Sequence, residues 1–178
     1  MNEKTEKITH SELCIAAYRW GKGTAGCKFG FREFSCGGIS QYRYLESPDY
    51  LGFFRQFGKV YSVLVECKSS RSDFFADDKK WFRHDDESQF GSYRFYMVPA
   101  GLVHQNEVPE GWGLLYAKPR VGLPGYYTVR LMKSPPGWKP RLVGDARKCG
   151  IIELEIMYDA LNRMQNVTLF ESMFYDRR

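Results

Sequence analysis

Residues 60–68 constrain this chain more than any other stretch. Val60, Tyr61, Val63, Leu64 and Val65 are the β-branched, aromatic and apolar residues of a buried strand, and the run ends on Glu66-Cys67-Lys68. Alternate residues of a strand share a face, so Glu66 and Lys68 point together to one side. On a surface strand such a pair is an ordinary solvated cross-charge. At the end of a nearly all-apolar strand an unpaired charge is costly and is usually paired or bound to metal. Asp49, after Pro48, opens a second strand over residues 50–54, and residues 55–59 read as the turn between the two. An antiparallel hairpin of this kind sets Asp49 beside Glu66.

Pro48-Asp49, strand, turn, strand and Glu66-Cys67-Lys68 resemble the signature of the PD-(D/E)xK nuclease superfamily. The segment that follows, with Ser70, Arg71, Asp73, Phe74, Asp77 and Lys79, is similar to a narrower branch, the MmcB-like DNA-repair nucleases and their phage-borne relatives. In that branch come next a strand ending in proline, here Pro99, and a Pro-Glu-x-x-Gly-Leu-Leu-like stretch, here from Pro109 to Leu115. The resemblance spans residues 8–118, and nothing past Ala117 matches. The interval from Asp49 to Glu66 exceeds the family's shortest hairpins; Gly58 permits the reversal, and Phe54 and Phe57 are placed to cover a face or meet a partner.

The resemblance implies an α/β fold with a restriction-endonuclease-like core, a mixed central sheet flanked by helices. It implies metal-dependent hydrolysis of DNA phosphodiester bonds, in repair, recombination or phage DNA processing, with Asp49, Glu66 and Lys68 as the catalytic set. Attack of water builds negative charge on the phosphate oxygens, so hard cations held by carboxylates lower the barrier. Asp49, Glu66 and the backbone carbonyl of Cys67 would hold Mg2+ or Mn2+. Lys68 would orient or deprotonate the water, or stand only as counter-ion to the acids. Glu12, on the first helix, is a candidate further ligand; it is equally an acid favoured by the helix dipole. Glu33 is a further candidate acid or an exposed partner for Arg32 or Arg43. Arg71 would clamp a phosphate, whereas Ser70 and Asp73 suit a cap for the helix carrying Lys79 and Lys80.

A net charge of +5 and 16% aromatic residues suit a surface that neutralises phosphates and stacks bases. Basic residues gather late in the chain, at Lys118, Arg120, Arg130, Lys133, Lys139, Arg141, Arg147 and Lys148. Of these, Arg130, Lys133, Arg141 and Arg147 join Arg71, Lys79 and Lys80 as candidate DNA contacts, the other reading being a solvated face. The alternative function is a nuclease-like fold used as a non-catalytic nucleic-acid-binding or phage-accessory module. Nucleotide chemistry is disfavoured because no G-x-x-x-x-G-K-[ST] loop or dinucleotide fingerprint occurs.

The order of segments predicts one domain over residues 1–178: a flexible tail at 1–8, the family-like core at 9–118, and extra strands, a Pro-rich loop and a C-terminal helix at 119–178. The first helix is capped by Thr9 or Ser11 and ends at residues 21–23; a first strand covers 29–36, a helix runs from about Arg71 to before His84, and the last helix covers 151–164. Five cysteines without paired spacing fit a reducing cytoplasm, and three scattered histidines with no C-x-x-C give no zinc pattern. No run approaches membrane-spanning length, so no membrane partner is expected; the resemblance implies DNA as partner, with a homodimer as a further expectation.

Overall fold

The computed structural model describes residues 7–33, 47–77, 79–80, 83, 90–138 and 150–165, and is built on a six-stranded sheet. The chain runs α1 (His10–Lys22), β1 (Phe29–Arg32), β2 (Tyr50–Gln56), β3 (Lys59–Cys67), α2 (Arg71–Asp77), β4 (Tyr93–Pro99), a 3-10 turn (Gln105–Glu107), β5 (Trp112–Pro119), β6 (Tyr127–Lys133) and α3 (Ile151–Gln165). Strands lie in chain order across the sheet. β1–β2, β2–β3 and β5–β6 pair antiparallel, while β3–β4 and β4–β5 pair parallel. The sheet is therefore mixed, and α2 lies in the crossover that the first parallel step requires.

Both faces are covered, which is why β3 reads as a continuous apolar run. Tyr61, Val63, Val65 and Cys67 meet Leu13, Cys14, Ala17 and Trp20 of α1. On the other face Leu64 joins Phe74 of α2 and Ile152 and Ile156 of α3. The start of α1 is set by a capping box in which Glu12 N–H donates to Thr9 Oγ1 and Thr9 N–H donates back to Glu12 at 2.8 Å. Thr9, not Ser11, is the cap.

The hairpin is tighter than its sequence suggests. β2 and β3 run on to Gln56 and Lys59, leaving only Phe57 and Gly58, at φ 48° and 76°, to reverse the chain. Two residues with positive φ match the twist of the flanking strands, so the ladder extends through positions that read as a loop. Phe57 is 73% exposed, whereas Phe54 stacks on Tyr61 at 5.6 Å and Tyr93 at 6.1 Å on the α1 face. α2 ends at Asp77, well short of His84. β6 supplies a strand beyond the family-like segment, paired from Leu114↔Lys133 to Pro119↔Tyr127. Residues 34–36 of the expected first strand, the acidic run at 85–87, and Lys139, Arg141, Arg147 and Lys148 lie outside the described residues. No helix among the described residues is long and apolar enough to cross a membrane.

The Tyr50 ring is fully buried where α1, β1 and β2 meet, and a methyl group at Gly21, Gly30 or Gly52 would overlap it. Gly52→Ala is accordingly expected to destabilise the fold by at least about 1–3 kcal/mol, the usual cost of overpacking a closed core. Urea unfolding checks this: the midpoint should fall with the slope unchanged, and an unaltered midpoint would show that the ring has room to move.

Candidate active site

The ends of β2 and β3 carry the three residues singled out by the sequence. Tyr50 pairs with Val65, so Asp49 stands one step further on, opposite Glu66. Asp49 Oδ2 accepts the Cys67 N–H at 2.7 Å, which fixes the start of one strand to the end of the next. Glu66 and Lys68 share a face, are 3% and 4% exposed, and meet with Nζ 3.0 Å from Glu66 Oε2. Lys68 Nζ is also 2.8 Å from Asp77 Oδ1.

Asp77 is the residue that sequence reasoning passed over. It ends α2 on the buried side, three positions after buried Phe74. Besides Lys68 it receives Lys80 Nζ at 2.8 Å, Arg83 Nη2 at 2.7 Å and the Tyr96 hydroxyl at 2.8 Å. Arg83 Nη2 lies 3.5 Å from Glu66, and its guanidinium covers the Trp112 ring at 4.7 Å. A signal for Asp77 was present, since it is the second aspartate of the Ser-Arg-x-Asp-Phe-x-x-Asp segment and shares a helix face with Phe74. Arg83 had none, because its place depends on how the chain turns back after α2.

These charges shift one another. Burial, and then the Glu66 charge, push Asp49 up to about 6 despite the Cys67 N–H and His10. Burial also opposes the Asp77 charge, but Arg83 and Lys68 outweigh it and hold that carboxyl well below the ordinary range. For Lys68 burial disfavours the ammonium, yet Glu66 and Asp77 outweigh it and keep the amine protonated well above the ordinary lysine value. Lys68 is thus a fixed cation at neutral pH and is unsuited to take a proton. Glu66 Oε1 is buried with no hydrogen-bond partner among the described residues. One free carboxylate oxygen beside a second acid whose charge is resisted is a donor set that fits a hard divalent cation.

The other candidates are spread around this centre. Glu12 has its carboxylate occupied by the Thr9 cap and by the Tyr127 hydroxyl at 2.6 Å, which accounts for it without a metal. Glu33, at φ 49°, sits 3.6 Å from Arg32 at the surface. Arg71 is tied to Glu107 and the Leu102 carbonyl and lies over the Phe75 ring at 5.0 Å, so it pins α2 to the 3-10 turn. Ser70 Oγ accepts the Asp73 N–H at 3.2 Å and caps α2. Lys133 donates to the Val108 and Pro109 carbonyls, while Lys79 and Arg130 are exposed. No family model matches the chain, and no similar curated protein or solved structure was found.

Two predictions with opposite signs follow from the acids. Stability contributed by Asp77 is present above its ordinary value of 3.8 and is lost as pH falls through the depressed folded value. Asp77→Asn should cost about 3–5 kcal/mol at pH 7, as expected when one member of a buried charge cluster is removed, and should flatten the acid limb of a stability-versus-pH curve. Asp49 acts the other way: stability from its protonated form is present below 3.8 and is lost as pH rises through about 6. Asp49→Asn should therefore leave the metal-free protein at least as stable at pH 7, with a gain of up to about 1–3 kcal/mol by thermal denaturation in EDTA. A marked loss would mean that the carboxylate itself is needed for folding.

Proposed function

We propose that this chain is a metal-dependent nuclease with a restriction-endonuclease-like core, acting on DNA phosphodiester bonds. The observation that carries the reading is the unpartnered, buried Glu66 Oε1 beside Asp49, on two strands whose register sets the acids opposite each other. Asp49, Glu66 and the Cys67 carbonyl would hold Mg2+ or Mn2+, which when bound supplies a Lewis acid for the phosphate oxygens and an acidified water. Asp49 orients this ligand set, because its other contact with β3 is the fixed Cys67 amide. Lys68 serves as an ammonium that hydrogen-bonds the developing negative charge, a role that its pairing with Glu66 and Asp77 favours over that of base. Exposed Lys79, Lys118, Arg120 and Arg130 supply phosphate contacts, whereas Arg71 and Lys133 are engaged by loop carbonyls, and Arg71 also by Glu107.

One observation favours the second reading, a non-catalytic DNA-binding module. Lys68 is held between Glu66 and Asp77, and Lys80 and Arg83 add further cations, so the cluster is largely charge-compensated by the protein itself.

Incubation of the purified chain with supercoiled, linear and branched DNA in Mg2+, Mn2+ or EDTA separates the two. Asp49→Asn and Glu66→Gln should each bring divalent-dependent cleavage below detection while leaving DNA binding. Lys68→Ala, checked for folding by circular dichroism, should slow cleavage by about a hundredfold or more, as loss of a transition-state donor does. Cleavage that persists in EDTA, or in the double acid variant, refutes the mechanism. Tight DNA binding without cleavage of any substrate gives the module reading.

A further inference from the structure

Asp49 has a second set of neighbours on the opposite side of β3. Alternation along the strand turns Cys67 away from Glu66 and toward α1, where His10 and Cys14 lie four residues apart on one helix face. His10 Nε2 is 3.4 Å from Cys14 Sγ and 3.1 Å from Asp49 Oδ1. The Cys14 and Cys67 sulfurs and an Asp49 oxygen lie within 4.8 Å of one another. Both thiols are completely buried, while the His10 side chain is 43% exposed and leaves the group open to solvent on one side.

A buried cysteine is usually a small apolar filler, and Cys27, which belongs to no such group among the described residues, fits that description. Two thiols and a carboxylate this close together, with an imidazole against one of the thiols and against the carboxylate and Glu33 also near that imidazole and thiol, are a different matter. Metal–nitrogen and metal–oxygen bonds of about 2.0–2.2 Å and metal–sulfur bonds of about 2.3 Å give a tetrahedron with edges of about 3.3–3.8 Å. The 3.1 and 3.4 Å separations at His10 already approach those edges. Among the described residues the only ion pair made by Asp49 is with His10, so a dication would also supply charge that the carboxylate lacks.

We propose that His10, Cys14, Asp49 and Cys67 form a site for a thiophilic divalent transition metal ion of the Zn2+ class. Thiolate and imidazole donors select such an ion over Mg2+, and binding releases both thiol protons to solvent. The site stands independently of the nuclease reading. It shares Asp49 with it, so the two ions compete for one carboxylate.

The test uses the full chain carrying Cys36→Ser and Cys149→Ser, kept reduced and titrated with Co2+ alone in chelator-free buffer. One equivalent should produce the visible bands of tetrahedral Co2+ with a near-ultraviolet thiolate-to-cobalt charge-transfer band, and Zn2+ should bleach both. A hard-ligand site at Asp49 and Glu66 gives no charge-transfer band, so Glu66→Gln should leave the spectrum unchanged even where it ends DNA cleavage. Cys14→Ser or Cys67→Ser should weaken Co2+ binding by more than the 10–100-fold that loss of an outer-shell partner costs. His10→Ala, at a partly exposed position that does not disturb the core, should weaken it at least about tenfold; Cys27→Ser should not. Absence of the charge-transfer band, its survival in the Cys14→Ser/Cys67→Ser double variant, or indifference to His10→Ala overturns the site.

Discussion

The ammonium of Lys68 is carried into the interior by β3, and much of the architecture serves to compensate it. Taking such an ion from water costs several kcal/mol even after relaxation, and the attraction of a single partner rarely returns that amount. Here Glu66 and Asp77 both receive it, Arg83 bridges the same two acids, and the Tyr96 hydroxyl completes the Asp77 shell. The cluster thereby joins β3, α2 and β4, and Trp112 of β5 closes over Arg83 and Arg94. The position of α2 follows from it, because the short helix must end with Asp77 against the sheet.

Asp49 occupies the rim where the two faces of the sheet come together. Its bond to the Cys67 amide is backbone-directed and does not depend on which face a side chain takes. On one side stands the carboxylate of Glu66, a hard oxygen donor; on the other stand the thiols of Cys14 and Cys67 and the imidazole of His10. In the two proposed sites the same carboxylate would serve two kinds of cation, and ligand softness would decide which side is used. Burial together with the Glu66 charge raises Asp49 to about 6, so its ionised form is less favourable in the fold than in water.

The distribution of basic residues shows how little charge alone reveals about surface function. Arg71 and Lys133 satisfy carbonyls and Glu107, and so hold loops in place. Lys80 neutralises Asp77. Of the other candidates among the described residues, Lys79 beyond the end of α2, Lys118 on β5, Arg120 just past it and Arg130 on β6 are exposed. Those positions carry long side chains at the surface.

Local chemistry was enough to make several elements legible in the sequence. The apolar composition of β3, the Thr9–Glu12 capping pattern of α1 and the alternation that puts Glu66 and Lys68 on one face depend only on neighbours within a few residues. The hairpin was legible as an element but not in its bounds, because Phe57 adopts a positive φ that its side chain does not advertise. Nothing local could reveal Arg83 against Asp77, β6 as a partner of β5, or the thiols of Cys14 and Cys67 beside one carboxylate. The last case is the clearest: spacing along the chain argued against a zinc-like site, since the four donors are scattered over residues 10–67. They meet because α1 packs on the β2–β3 end of the sheet, and the burial of Leu13, Ala17, Val63 and Val65 that drives this packing is a property of the assembled core.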